Sequence, residues 1–180
     1  MKVRDIVAEC LKQIDESEYI AKNHQAAIDR IVFNVNVVCR EIATKYLKII
    51  EKQKIKVQDG EFVFADLNRV GMLYPVKLEI DGKNVDYKVY ATRLKCEYRT
   101  GYYNYTGDGE LSYACLPSKE YDIEDDIPDD RLTMSVMTNG VLAEYYFQMG
   151  NYRKSQDYDI DYRHELGILR YADTLKTTSR

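Results

Sequence analysis

The chain has 180 residues, of which 45% are hydrophobic and 31% are charged, and its formal net charge is -4. This length and composition are typical of a globular protein with one sizeable core and room for a large insertion. The acidic balance argues against a protein whose main work is to grip nucleic acid through phosphates, because that work needs a basic face. No apolar run approaches the roughly 20 residues that a membrane span needs.

Residues 1–55 are predicted to form the N-terminal helices. The first helix is marked by apolar residues at helical spacing: Val3, Ile6, Val7, Cys10, Leu11 and Ile14. A second apolar stripe predicts a helix from about residue 23 to about residue 53, roughly 45 Å long at 1.5 Å per residue. Since the residues after Met1 lead directly into a helix pattern rather than an apolar signal region, we expect synthesis in the cytoplasm.

Residues 56–120 are predicted to be rich in β-structure, because apolar and polar residues alternate there. Strand candidates are Glu61–Phe64, Val76–Ile80, Val85–Val89, Leu94–Tyr98 and Leu111–Cys115. Asp81-Gly82-Lys83-Asn84 supplies the turn of a β-hairpin. The loop Arg99–Glu110 contains Tyr102, Tyr103 and Tyr105 and is predicted to be a long mobile tip.

Residues 127–173 are predicted to form a C-terminal helical hairpin. Pro128, followed by Asp129 and Asp130, has the composition of a helix start, and Gly150-Asn151 separates two helices. Residues 174–180 are predicted to be a flexible tail. The predicted fold is α+β and forms a single domain over residues 1–180. In this prediction the N- and C-terminal helices form one helical bundle, and a small antiparallel β unit is inserted between them.

No pattern in the sequence points to catalysis or metal binding. Asp157, Asp159 and Asp161 resemble the start of a calcium loop, but Tyr162 and Ile168 occupy the positions where that loop needs Gly and Glu. We therefore interpret the three aspartates as solvated helix charges. No local motif supports a Cys–His nucleophile pair that would involve His24 or His164. The protein is predicted to have no catalytic residue, no cofactor and no metal.

The four cysteines are interpreted as reduced core thiols, since none forms a C-x-x-C pair and each lies on an apolar face. Seventeen tyrosines stand against four phenylalanines and no tryptophan. A tyrosine has an apolar body and a polar tip, which suits interfaces, so this composition suggests assembly.

The run from Glu120 to Asp130, called the acidic segment below, holds seven carboxylates and no basic residue. One interpretation is a solvated connector that ends in a helix N-terminus, which would account for Asp129 and Asp130. The other is a surface that repels DNA or meets a basic partner.

Several motifs follow one another in a set order along residues 60–172. They are Phe64-Ala65-Asp66-Leu67, Asp81-Gly82, Tyr113 with Leu116-Pro117, the acidic segment, Ile127-Pro128, Ala143–Phe147 with Gly150, and Ser155, Tyr158 and Tyr162. This order resembles that of the head–tail connector (adaptor, or head completion) proteins of tailed bacteriophages. Over residues 1–55 only the helical character matches. Ser155 stands where the family commonly has a small residue, often Ala.

The resemblance implies a non-enzymatic structural virion protein of the neck. Such a subunit belongs to a homo-oligomeric ring, expected to be a dodecamer, that joins the portal protein to tail or stopper proteins and extends the DNA channel. Double-stranded DNA would pass without specific binding, and no membrane is involved. The candidate site residues are Leu175, Lys176 and Arg180 for portal docking, Tyr102, Tyr103 and Tyr105 for a tail-side loop, and Asp122, Glu124, Asp125 and Asp126 for the channel lining.

Two other classes of function remain open from the sequence. The first is a soluble interaction module whose Tyr-rich hairpin binds another protein, and the second is a small hydrolase. Because so much of the surface is charged, we expect the isolated chain to be a monomer or weak oligomer that forms rings only on its partner.

Overall fold

The computed structural model describes residues 1–14, 24–67 and 71–178, with side chains up to residue 172. In this part of the chain, α-helices and small antiparallel sheets form a mixed α+β fold. The helices are α1 (Val3–Gln13), α2 (His24–Lys45), α3 (Met134–Gln148) and α4 (Tyr152–Thr178). The strands are β1 (Ile49–Val57), β2 (Glu61–Val63), β3 (Met72–Ile80), β4 (Lys83–Asn84), β5 (Tyr87–Val89), β6 (Arg93–Cys96) and β7 (Gly107–Cys115).

The chain divides into two compact units. Residues 1–47 and 119–180 form the helical unit, and residues 48–118 form the β unit. The helical unit is therefore built from both ends of the chain. It carries 15 basic and 20 acidic residues, whereas the β unit carries 11 and 10, so the net negative charge of the chain belongs to the helical unit.

The central element of the helical unit is α3, which contacts α1, α2 and α4. Its sequence suits this position, because Glu144 is the one charged residue between Met134 and Gln148. The core around it includes Tyr145, Tyr146 and the α4 residue Tyr162, all of which are buried. Buried aromatic side chains of this size contribute roughly 1.5–3 kcal/mol each through the removal of apolar surface from water.

The predicted long second helix is wrong in its C-terminal part. α2 ends at Lys45 after 22 residues, about 33 Å, and β1 begins at Ile49. In β1 the exposed residues alternate with buried or half-buried ones. This is the period of a strand with one covered face. The predicted boundary near residue 55 between helices and β-structure therefore lies inside a strand.

The predicted helix start at Pro128 is also wrong. α3 begins at Met134, and its N-cap is Thr133, whose Oγ1 accepts a hydrogen bond from the Val136 N–H at 3.2 Å. Asp129 instead accepts hydrogen bonds from the backbone N–H and the guanidinium of Arg131, at 2.7–3.0 Å. The segment before Thr133 is thus a turn stabilised by an aspartate–arginine pair.

The β unit contains two antiparallel sheets, with strand orders β1-β7-β3-β4 and β2-β6-β5. Asp81 and Gly82 both have positive φ, as a two-residue hairpin turn requires, and Ile80 pairs with Lys83. The predicted turn is confirmed, but the predicted partner strand Val85–Val89 is not. Val85 N–H still donates to the Leu78 carbonyl of β3 at 2.9 Å. Beyond Val85 the chain leaves the first sheet, and β5 pairs with β6 in the second.

The final helix is longer than predicted. Gly150 has φ +74° between α3 and α4, which confirms the predicted break there. α4 continues to Thr178, so residues 174–178 are helical rather than an unstructured tail.

Candidate interaction surfaces

No constellation for metal chemistry is present in the residues that the structure describes. Asp157, Asp159 and Asp161 lie on α4, where residues two apart point in different directions. Asp159 pairs with Arg163 at 2.7 Å, one helical turn away. Asp159 therefore does not point to the side of α4 that Asp157 and Asp161 share.

All four cysteines are free and buried. Burial raises the pKa of the Cys10 and Cys39 thiols to about 12, with smaller contributions from the charges of Glu9 and Asp129 respectively. Thiols with such pKa values are poor nucleophiles and poor metal ligands at neutral pH. This agrees with their interpretation as core residues.

The acidic segment is held in place on two sides within the helical unit. On one side, Val3 N–H donates to the Asp125 carbonyl at 3.0 Å, Arg4 N–H donates to the Ile123 carbonyl at 3.0 Å, and Ile127 N–H donates to the Met1 carbonyl at 2.8 Å. The first two bonds satisfy N–H groups in the first turn of α1. On the other side, the Asn36 side chain forms hydrogen bonds of 2.7–2.9 Å with the backbone of Tyr121. The segment is therefore a fixed element rather than a loose linker.

The four channel-lining candidates differ in what their carboxylates do. Asp125 accepts a hydrogen bond from Asp122 N–H at 2.8 Å and pairs with Lys119 at 2.5 Å. Both interactions, the backbone one first, hold the pKa of Asp125 below its usual value. Asp122 accepts from the neighbouring Ile123 N–H at 2.7 Å. Glu124 and Asp126 are exposed, and the Glu124 carboxylate, 3.7 Å from Arg4, is 77% accessible. Only these two are turned to solvent without a role in the turn.

The tyrosine loop packs onto the β unit rather than projecting as a free tip. Gly60 N–H donates to the Tyr105 carbonyl at 2.8 Å, and Asp59 N–H donates to the Thr106 hydroxyl at 3.1 Å. Tyr102 and Tyr105 are half-buried against the core of the unit, and their rings meet edge to face at 5.5 Å. Two of the three tail-side candidates, Tyr102 and Tyr105, are thus partly buried within their own unit and have less surface available for a partner.

A groove of about 420 Å³ beside β5 and β6 combines tyrosines with basic residues. We call it the cationic–tyrosine groove, and its lining includes Lys88, Tyr90, Lys95, Glu97, Tyr98 and Arg99. Tyr98 is 77% exposed, and its ring lies 4.4 Å from that of Tyr103. Glu97 is paired with Arg99 at 2.8 Å, and Lys95 is paired with Glu61 at 2.8 Å. Lys88 is exposed, with no ion pair to another described residue.

α4 has a second apolar face on the side away from its core residues. Ile160 is 65% exposed, and Ile168 and Tyr171 are also largely exposed. At 100° per residue these three lie roughly opposite the core stripe that contains Tyr162 and Leu166. Isolated exposed apolar residues are ordinary, but three on one side of a helix, with Asp157 and His164 among them, make that side a candidate contact surface.

The portal-docking candidates lie at the end of the same helix. Leu175 and Lys176 belong to the last turns of α4, and Arg180 lies outside the described residues.

The cationic–tyrosine groove and the outer face of α4 were not singled out from the sequence. A signal for the groove was present, since tyrosine and basic residues alternate closely between Lys88 and Arg99. The outer face of α4 also had a signal, because Ile160 and Ile168 fall outside the stripe of Tyr158, Tyr162 and Leu166.

A scan of protein-family models and a search of curated proteins found no match to this chain. No helix within the described ranges is long and apolar enough to cross a membrane.

Proposed function

We propose that this chain is a subunit of a head–tail connector (adaptor) ring of a tailed bacteriophage. The ring joins the portal protein to the tail or stopper proteins, lies in the virion neck and extends the DNA channel. The subunit is a structural protein, not an enzyme. Double-stranded DNA passes through the ring without specific binding.

The observation that carries the proposal is the packing of α3 on α4. These two helices contain the last motifs of the family resemblance, Ala143–Phe147 with Gly150, and Ser155, Tyr158 and Tyr162. Ser155 Oγ donates to the Ala143 carbonyl at 2.9 Å, so a small residue sits where the two helices come close. The Tyr158 ring stacks on Tyr146 at 5.7 Å with an interplanar angle of 3°. The aromatic spacing that resembles the family thus has a physical purpose in this chain, because it joins the last two helices.

The split helical unit is the second support. A ring subunit needs a stiff body, and we propose that the N- and C-terminal helices form that body as one bundle. A β unit contributed by the middle of the chain is then available to neighbouring proteins. This matches the order of helices, β-structure and helices in connector proteins.

We assign portal docking to α4, through its exposed face and its C-terminal end with Leu175, Lys176 and Arg180. An amphipathic helix that lays apolar residues into a groove is a common mode of recognition. Ile160, Ile168 and Tyr171 supply those apolar residues on a helix whose other side is already in the core. The alternative of an interaction module with a Tyr-rich hairpin has less support, because Tyr102 and Tyr105 pack on their own unit.

The test is binding to the portal protein encoded in the same genome. The full chain is expected to form rings on the portal, seen by light scattering and negative-stain microscopy. Deletion of residues 174–180 is expected to abolish this binding while the circular dichroism spectrum is unchanged. Binding of the truncated chain at full strength would contradict the assignment to α4, and failure of the full chain to bind any portal assembly would contradict the proposed function.

A further inference from the structure

Two surfaces of this chain are complementary in charge. The cationic–tyrosine groove lies in the β unit, where basic residues slightly outnumber acidic ones, and the acidic segment lies in the helical unit, which holds the excess of carboxylates. We infer that the groove of one copy binds the acidic segment of a second copy, with Lys88 facing Glu124 and Asp126. The inference rests on the proposed function, since it names the contact that would join neighbours in the ring.

The groove is suited to an acidic, partly apolar occupant. Its carboxylate Glu97 is already paired with Arg99, so Lys88 is left to attract an external anion. Tyr98 is exposed, and its ring lies against that of Tyr103 at 4.4 Å and an interplanar angle of 34°, so an occupant of the groove would meet an aromatic surface. Tyrosine and arginine are among the usual anchors of protein interfaces, and Tyr98 and Arg99 both line this groove.

The acidic segment supplies the matching features. Glu124 and Asp126 are exposed, and so is Pro128, two residues after Asp126. Glu124 lies 3.7 Å from Arg4, a long and solvent-exposed pair that leaves its carboxylate accessible. The backbone of the segment is already fixed by the N-terminal residues and by Asn36. A preorganised segment loses little conformational entropy on binding, which favours a stable contact.

The two surfaces are different patches, so the contact between copies is heterologous. Heterologous contacts generate a closed ring when the rotation between neighbours closes, whereas a contact between identical patches gives only a dimer. This assignment replaces the predicted channel-lining role for Glu124 and Asp126. Asp122 and Asp125 keep their role as hydrogen-bond acceptors within the segment.

The contact can be tested by charge reversal in the full chain. Self-association is measured by sedimentation velocity at high protein concentration and low salt. We expect association to weaken about tenfold in each of two variants, one with Lys88→Glu and the other with both Glu124→Lys and Asp126→Lys. The chain that carries all three substitutions is expected to regain association, because the signs are then exchanged across the contact. Lys83→Glu and Asp157→Lys change exposed charges elsewhere and serve as matched controls that leave association unchanged.

A second measurement identifies the contact directly. Isotope-labelled and unlabelled chains are mixed and treated with a zero-length carbodiimide cross-linker, and mixed-isotope peptides that join Lys88 to Glu124 or Asp126 are expected. The inference would be overturned if no such peptides were found. It would also be overturned if the triple variant associated as weakly as the other variants, or if the control variants lost association to the same extent. If the triple variant regains association but the chain is not found in virions, the connector function is rejected and the contact stands. If the chain is found in virions but the triple variant does not regain association, this contact is rejected and the connector function stands.

Discussion

Gly140 of α3 lies directly against Tyr162 of α4. A Cβ atom built on Gly140 would stand 2.8 Å from Cε2 of the Tyr162 ring and 3.1 Å from Cγ1 of Val38 on α2. Because Tyr162 is buried, with its hydroxyl 3.2 Å from the Glu41 carboxylate, the ring has little freedom to withdraw. The absence of a side chain at residue 140 therefore lets three helices meet at one point.

Gly140→Ala is expected to destabilise the helical unit by about 1–3 kcal/mol, the usual cost of overpacking a core. This loss should exceed the gain of up to about 1 kcal/mol from replacing a glycine inside a helix. The free energy of unfolding, measured by urea denaturation, checks it. Gly167→Ala is the matched control, since nothing lies within 4 Å of a Cβ there. Equal stability of the two variants would show that Gly140 is not a packing requirement.

Gly60→Ala is expected to release the tyrosine loop. Gly60 has φ +71°, and a Cβ there would meet the Tyr103 carbonyl oxygen at 2.1 Å. Gly82 has the same φ but open space around it, so Gly82→Ala carries only the backbone strain, about 1 kcal/mol. Amide hydrogen exchange should therefore rise across residues 101–106 in the Gly60 variant and stay unchanged there in the Gly82 variant. Full protection of those amides in the Gly60 variant would contradict the packed loop.

Glu144→Gln is expected to stabilise the protein at pH 7. Burial raises the pKa of Glu144, and the nearby carboxylates of Glu41 and Asp159 raise it further. The ionised form therefore disfavours the folded state above that pKa, and the penalty disappears as the pH falls below the unfolded value of about 4.3. Denaturation curves should show a gain at pH 7 that shrinks towards pH 4.

Glu9→Gln is expected to change the free energy of unfolding at pH 7 in the opposite direction. Hydrogen bonds from Lys12 and Gln13 lower the pKa of Glu9, so its loss should remove stability at pH 7 and have less effect as the pH falls through that pKa. Parallel behaviour of the two variants would contradict this account of the local charges.

The four cysteine thiols are expected to be inert in the folded protein. Each is less than 9% exposed, and burial raises the pKa values of the Cys10 and Cys39 thiols to about 12. A chromogenic thiol reagent at pH 8 should label none of them in buffer and all four in denaturant. Rapid labelling of one thiol in the folded chain would indicate a reactive cysteine that the fold does not suggest.

The features that were predicted correctly are those that neighbouring residues determine. The stripe of α1, the break at Gly150 and the Asp81-Gly82 turn were all correct, because each depends on residues close together in the chain. The end of α2 was missed because Ile50 also fits the helical stripe, so the period of β1 was hidden. Strand pairing decides this case, and the residues of β1 pair with residues of β7 that lie 50 to 66 positions further along the chain.

The surfaces were harder to predict than the core. The carboxylates of the acidic segment look alike in sequence, yet Asp125 and Asp129 are used in turns while Glu124 and Asp126 face solvent. That difference depends on the positions of Lys119 and Arg131, and on the backbone hydrogen bonds between the acidic segment and residues 1–4. The Pro128 signal was misread for the same reason, since a helix start and an aspartate–arginine turn share their composition.

The proposed connector function is tested most directly by mass spectrometry of purified phage particles from cells that carry this gene. We expect the chain in washed, DNA-filled virions, in an amount comparable to that of the portal protein. Particles that contain portal and tail proteins but lack this chain would contradict it.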